Sequence, residues 1–444
     1  MTNMVAAKAV GELATITRNP LRRPKSIGRW TIGSGRFERV TQIVSSSYTN
    51  WQLRRLCPLP FDMVRFKVRL GQTGGNDAVT PNGYAAVASV PNKTDAALMA
   101  ATPVNALFGG NNNPNFPPSS VLRRATHQWS DWTRVTSVPR DDGGEGYWLV
   151  IRLALGGVDG NIITMGDTAG ADTFANWADH PTRPFDLLRR QGAVAAAASG
   201  WSTMNSGTTN TTAPSTCPVV EVECLYRGMV FNLGTFGDSI TDGRGTYLGA
   251  SFGTQLCSEL TAETPVAFEW ANYGWSGITA EFIYQNVLDA VAAGSVPDMA
   301  FVEGFFTNNV PTTIPADGET SLVPNSTRWM DSYHSTMIQA LEGAGGHVVT
   351  LPGTPANYSS RPWGAAADAR RIAQIARIKA MAAHGRDVLD WATPNTGPVD
   401  GNGQQTLINN VDALHLGDAG YAACVPLAKQ IVKRRLALID GMTA

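Results

Sequence analysis

Two domains of different class are expected from this chain: an α/β three-layer domain on a doubly wound parallel sheet, preceded by a β-rich domain of sandwich or jelly-roll type. Three observations lead there. Apolar residues alternate with period two between residues 60 and 226. After residue 228 the rhythm changes to short apolar runs separated by helical periods. A stretch rich in Ser, Thr, Gly and Asn, "ASGWSTMNSGTTNTTAPSTCP" at 198–218, lies near the change.

The alternation is plainest in "DMVRFKVRLG", where Val64, Phe66, Val68 and Leu70 share one face and Arg65, Lys67 and Arg69 the other. It returns in "GYWLVIRLAL" through Tyr147, Leu149, Ile151, Leu153 and Leu155, and in "PVVEVECLYR" through Val220, Val222, Cys224 and Tyr226. Turn-rich stretches such as "GGNNNPNFPPSS" and "RDDGGEG" separate such runs, which suits antiparallel strands with one wet face. Because an alternating strand follows the 198–218 segment, the domain boundary is placed near Arg227. This gives an N-terminal arm or start of the β domain at 1–59, a β-sandwich-like domain at 60–227 and the α/β domain at 228–444.

In the second part the expected strands are "MVFNLGTF" (229–236), "AFEWAN" (267–272), "DMAFVEGF" (298–305), "HVVTLPG" (347–353) and "DVLDW" (387–391). Helical periods fill the gaps. Phe252, Leu256 and Leu260 share a face, as do Ile283, Val287, Leu288 and Val291. In doubly wound sheets ligands sit beyond the carboxyl ends of the strands, so the residues just after each strand are the candidates for chemistry.

Composition narrows the partner. The chain of 444 residues carries 35 Lys plus Arg against 36 Asp plus Glu, and only 16% of residues are charged. No global field exists to collect nucleic acid or an anionic membrane, so a neutral or weakly charged partner is expected. A local basic stretch, Arg18, Arg22, Arg23, Lys25, Arg29, Arg36 and Arg39, reads either as a solvated arm or as a docking segment for an acidic partner. Cys57, Cys217, Cys224, Cys257 and Cys424 are scattered, without C-x-x-C pairs, and read mostly as reduced, buried thiols. The first 26 residues lack an apolar core of signal-peptide length, and no run of about 18 apolar residues occurs. A soluble chain is the expectation.

After the first strand comes Gly237-Asp238-Ser239, which alone reads as a turn and a helix cap. After the second comes "NYGWSG" (272–277), and after the third "FFTNN" (305–309). These offer a glycine N–H and a side-chain amide, the donor types an oxyanion requires. After the fifth comes "VDALHLGDAG", where Asp412 can hold the Nδ1 of His415 and leave Nε2 for a serine.

The ordered set GDSIT, N-x-G-x-S-G, T-N-N and D-x-x-H resembles the four sequence blocks of the SGNH (GDSL) hydrolase family of esterases and lipases, over roughly residues 229–437. The resemblance implies that Ser239 is the nucleophile, His415 the general base and Asp412 its orienting carboxylate. It also implies an oxyanion hole of the Ser239 N–H, the Gly277 N–H and the Asn308 amide, with no cofactor and no metal. Two departures stand out. The third block usually reads G-x-N-D, whereas Gly304 lies too far upstream and Asn309 stands in the aspartate position. Pro426 interrupts the last helix, where a kink or two shorter helices should result. Asp331 and His334 repeat the D-x-x-H spacing inside a predicted helix, where a surface contact is the expected meaning.

The implied reaction is hydrolysis of small acyl esters, O-acetyl groups on carbohydrate among them. A lipase or thioesterase acting on longer chains is the alternative, as is a glycan-binding structural or adhesin protein of the same fold. Trp275, Phe305, Phe306 and Trp363 are candidate walls of an acyl pocket or else core residues, and Val310–Arg328 is a candidate lid.

Overall fold

A computed structural model describes residues 25–32, 38–39, 50–57, 61–72, 82–92, 97, 100–111, 125–141, 147–156, 162–163, 165–166, 186–191, 219–243, 251–264, 266–274, 277–292, 294, 296–309, 326–358, 361–362 and 364–440. The linker at 198–218 and most of the basic stretch lie outside the described residues. The chain divides into two compact units, one spanning Ser26–Val230 and one holding Phe231–Thr246 and Ser251–Ala444.

The strand pairings resolved among the described residues of the first unit are antiparallel, as alternating strands joined by turns require. One sheet runs in the order Asp186–Gln191, Asn50–Cys57, Tyr147–Gly156, Asn82–Val90, Val104–Ala106. The strand Phe61–Gln72 pairs antiparallel with Ala125–Trp129, and Val68 stands opposite Gln128. On its other side Phe61–Arg69 pairs with Val219–Tyr226, with a register shift at Leu225/Tyr226.

The two strands expected at 219–226 and 229–236 are one element, β1 (Val219–Phe236). Arg227-Gly228 contains no proline and only one turn-forming residue, too weak a signal to end an extended run.

In the second unit, β1 is joined by β2 (Ala267–Asn272), β3 (Met299–Glu303), β4 (His347–Leu351) and β5 (Asp387–Val388) in the order β2-β1-β3-β4-β5. The β1/β3, β3/β4 and β4/β5 pairs are parallel. Order 2-1-3-4-5 is the doubly wound arrangement, whose topological switch point lies between the first and third strands.

The helices are α1 (Ser239–Asp242), α2 (Phe252–Glu263), α3 (Ala280–Ala292), α4 (Thr327–Gly343), α5 (Gly364–Met381), α6 (Asp418–Ala422) and α7 (Val425–Asp440). Their apolar stripes are buried: Phe252, Leu256 and Leu260 on α2, Ile283 and Val287 on α3, Met330, Met337 and Leu341 on α4. Each such side chain contributes about 1.5–3 kcal/mol of burial. Phe252 meets Phe301 of β3 edge-on at 5.3 Å and Trp391 at 6.3 Å, closing the core between α2 and the sheet. Of the two outcomes expected at Pro426, a kink or two shorter helices, the second is found, and Pro426 occupies the first turn of α7, where its missing N–H costs nothing. No helix among the described residues is long and apolar enough to cross a membrane.

Candidate active site

Beyond the carboxyl end of β1, Gly237 passes so close to β3 that a Cβ there would lie 2.7 Å from Glu303 Oε2 and 2.4 Å from Thr241 Oγ1. Only glycine permits that approach. Asp238 then caps α1, its Oδ1 accepting the Ile240 N–H at 2.9 Å, and Gly243 ends the turn at φ 90°. With the cap supplied by Asp238, the Ser239 hydroxyl is left for another partner. The Ser239 N–H opens α1, where no intrahelical acceptor exists, and no described residue takes it.

That partner comes from the far end of the domain. The loop 409–417 is closed by Gly417 N–H to Asn409 O at 2.7 Å and by Val411 N–H to His415 O at 3.0 Å. Asp412 Oδ1 accepts the N–H groups of Leu414 and His415, at 3.1 and 2.8 Å, and Asn410 Oδ1 accepts that of Ala413 at 2.7 Å. This density of bonds holds Asn409 and Ala413 at positive φ, 55° and 62°. Asp412 Oδ2 lies 2.6 Å from His415 Nδ1, and His415 Nε2 lies 2.9 Å from Ser239 Oγ. Tyr421 of α6 donates its hydroxyl to the Ile240 carbonyl, tying the segment after the loop to α1.

Burial acts to raise the Asp412 carboxyl, but the hydrogen bond and charge of His415 and the two N–H donors outweigh it and hold it at about 2. An ionised carboxylate only accepts, so the proton between the two side chains sits on Nδ1, and the Nε2 lone pair faces the Ser239 O–H. His415 and Ser239 are buried, whereas the Asp412 side chain is 49% exposed.

Beyond β2, Asn272 ties strand to turn. Its Oδ1 accepts the Thr235 hydroxyl at 3.0 Å and the Gly274 N–H at 2.8 Å, while Nδ2 donates to Asp242 O at 3.0 Å. Gly277 sits at φ 75°, where a side chain would be strained, and no described residue accepts its N–H. Beyond β3, Asn308 Nδ2 donates to Asp238 Oδ2 at 3.0 Å and to Ile278 O at 2.9 Å. Two acceptors at those distances identify that atom as nitrogen. Asn309 Oδ1 accepts the Ala280 N–H at 2.7 Å, so the residue in the family's aspartate position secures the start of α3. Hydrogen bonds thus connect the ends of β1, β2 and β3 and the His415 loop.

Residues 235–423 match the model of the GDSL-like Lipase/Acylhydrolase family. This segment is a GDSL-like hydrolase domain. Among solved structures, the chain resembles a GDSL-like lipase from Bacteroides thetaiotaomicron at 18% identity and TM-score 0.35, covering 46% of this chain and 88% of that one. It also resembles a psychrotrophic esterase from Pseudoalteromonas sp. at 14% identity and TM-score 0.34, covering 46% and 98%. A carbohydrate esterase family 2 enzyme with a carbohydrate binding domain, from Corynascus thermopiles (Myceliophthora fergusii), aligns at 12% identity and TM-score 0.35 over 92% and 100%. No curated protein matches the chain in sequence.

Within the hydrolase domain, Phe305 is wholly buried against Ala356, Ala367 and Leu414, and Phe306 is buried as well. Of the two roles open to them they take the core role: neither presents surface to a substrate, and Phe305 supports the His415 loop from below. Trp275 and Trp363 lie outside the described residues, as does most of Val310–Arg328.

The Asp331/His334 pair is not a surface contact. Asp331 turns to Gln374 at 3.0 Å and Arg377 at 3.7 Å, while His334 is buried with Nε2 3.3 Å from Thr350 Oγ1. The apolar stripe of α4, which includes Met330 and Met337, carries His334 inward and leaves Asp331 on the rim. Burial, with the Arg386 charge adding to it, pushes this imidazole down to about 4, so it is neutral.

Among the thiols described with their side chains, Cys257 and Cys424 are buried and form no disulfide, and burial pushes Cys424 up to about 12. That thiol is inert.

Three polar residues of the hydrolase domain did not stand out in the sequence. Asn272 and Asp238 lie inside recognised blocks, but Asp238 read there as a turn or cap residue and Asn272 was given no role. Glu303 had one signal, a single acid ending the apolar run "MAFVE", and it is fully buried beneath Gly237.

Proposed function

We propose that the hydrolase domain is a serine esterase of small acyl esters, acetyl groups on carbohydrate among them, with Ser239 as nucleophile, His415 as base and Asp412 as its orienting carboxylate. The observation that carries this reading is the continuous chain Ser239 Oγ, His415 Nε2, His415 Nδ1, Asp412 Oδ2, with separations of 2.9 and 2.6 Å across its two hydrogen bonds.

In this mechanism His415 Nε2 takes the hydroxyl proton as Ser239 Oγ bonds to the ester carbonyl carbon. The carbonyl oxygen becomes an oxyanion, stabilised by the N–H groups of Ser239 and Gly277 and by the Asn308 amide. Collapse breaks the bond to the alcohol, which leaves with the proton from His415. Water, deprotonated by the same nitrogen, then releases the acid and restores Ser239. Asp412 stays ionised throughout and stabilises the imidazolium.

The acetylated-carbohydrate substrate rests on the two-part organisation of the chain, in which the preceding strands are read as a β-sandwich accessory domain that holds a glycan. NMR of acetylated polysaccharides before and after incubation, beside fluorophosphonate labelling and a panel of acyl chain lengths, tests the reading. Acetate release, labelling at Ser239 and a preference for short chains support it. A preference for long chains favours a lipase, and the absence of labelling favours a glycan-binding protein.

A further inference from the structure

Asp238 and Glu303 form a buried pair directly under the nucleophile that the proposed acyl transfer leaves unused. The Asp238 N–H donates to Glu303 Oε2 at 2.9 Å. Both Asp238 oxygens accept, Oδ1 from the Ile240 N–H at 2.9 Å and Oδ2 from Asn308 Nδ2 at 3.0 Å. An N–H donor on each oxygen favours the ionised form, which assigns the charge of the pair to Asp238. Glu303 receives one N–H on one oxygen and carries the proton on the other, which avoids two adjacent buried charges.

Burial, then the charge of Asp238, raises Glu303 well above the usual carboxylate range, while burial raises Asp238 to about 7 against the pull of the Ile240 N–H.

Asn308 has two N–H groups, and both are committed, one to a carboxylate and one to the Ile278 carbonyl. A bond to an ionised acceptor is roughly twice as strong as one to a neutral acceptor. The N–H on Ile278 O is therefore the one an oxyanion can capture, and the bond to Asp238 is the pivot that keeps the amide in place.

We infer that Asp238 is the positioning residue of the oxyanion hole: its carboxylate holds one N–H of Asn308 so that the other, resting on Ile278 O, turns to the substrate, and neutral Glu303 lets that single charge stay buried. The inference rests on the esterase reading above and adds to it the group that aims Asn308.

A double-mutant cycle on hydrolysis of a p-nitrophenyl acyl ester by the full chain tests it. Asp238→Asn should lower kcat by about 10-fold or more with KM changed less than about 2-fold, because the loss is confined to the transition state. In an Asn308→Ala background the same change should cost less than about 2-fold further. A loss of equal size in both backgrounds, or an unchanged kcat in Asp238→Asn alone, overturns the inference while leaving the esterase reading intact. Absence of turnover by the wild-type chain overturns both. If Asp238→Asn does not fold, Asp238→Ser, which keeps a capping oxygen but is too short to reach Asn308, takes its place in the cycle with the same two outcomes.

Discussion

Ser239 Oγ lies 2.9 Å from His415 Nε2 although 176 residues separate them in the chain. On the proposed mechanism this contact is the first proton transfer. Ser239→Ala and His415→Ala should each lower kcat for an acyl ester by on the order of 10⁴-fold or more. His334→Ala should leave it within about 3-fold, since that imidazole faces Thr350 and touches nothing that reacts. Steady-state kinetics on the three purified variants decide the matter, and activity that survives loss of His415 but not of His334 refutes the assignment.

Asp412 fixes the tautomer of His415. In Asp412→Asn the amide can present an N–H to Nδ1 and move the proton to Nε2, the wrong nitrogen. A fall in kcat of about 10²–10⁴-fold with KM little changed is expected. The carboxyl stays ionised down to about 2, with a folded value below the ordinary 3.8, so whatever it contributes to stability is present above pH 3.8 and is lost as pH falls toward 2. Any loss of activity between pH 7 and 4 therefore has another origin, and a pH–rate profile whose acid limb vanished in Asp412→Asn would contradict this.

Removing the side-chain oxyanion donor by Asn308→Ala should cost about 10²–10³-fold in kcat, near 3 kcal/mol, with little change in KM. Fluorophosphonate labelling of Ser239 should slow in parallel, because the phosphoryl oxygen uses the same donors. Labelling at the wild-type rate would remove Asn308 from the site.

His334 supplies a prediction about stability. Its folded value, about 4, lies below the ordinary 6.5, so between those pH values the unfolded chain binds a proton that the native chain does not. Stability is fully present above pH 6.5 and is lost as pH falls through 4. The contribution is on the order of 3 kcal/mol across that window. Urea unfolding at several pH values should show a steeper decline over it for the wild type than for His334→Gln. Equal slopes would refute the neutral, buried state.

How much of this was legible beforehand depends on whether the signal was local. Each strand of the α/β domain announced itself as an apolar run, and Ser239, Asp412 and His415, the residues proposed to act, sat in recognisable blocks. The dual commitment of the Asn308 amide was not legible, because its two acceptors, Asp238 and Ile278, come from strand ends distant in sequence. Nor was the burial of His334: spacing alone places it one turn from Asp331, and only the apolar stripe of α4 decides which of the two turns inward. Phe305 was ambiguous for a similar reason. A phenylalanine after a strand has the same appearance whether it lines a pocket or, as here, braces the loop that holds His415.

The strand order 2-1-3-4-5 sets a timetable for the chemistry. The proposed nucleophile and oxyanion donors follow the first three strands made, but the proposed base is carried on a loop translated after all five. On the proposed mechanism a nascent chain carries Ser239 before the loop bearing His415 has been made, so the hydroxyl lacks its base until the segment beyond β5 has emerged and docked.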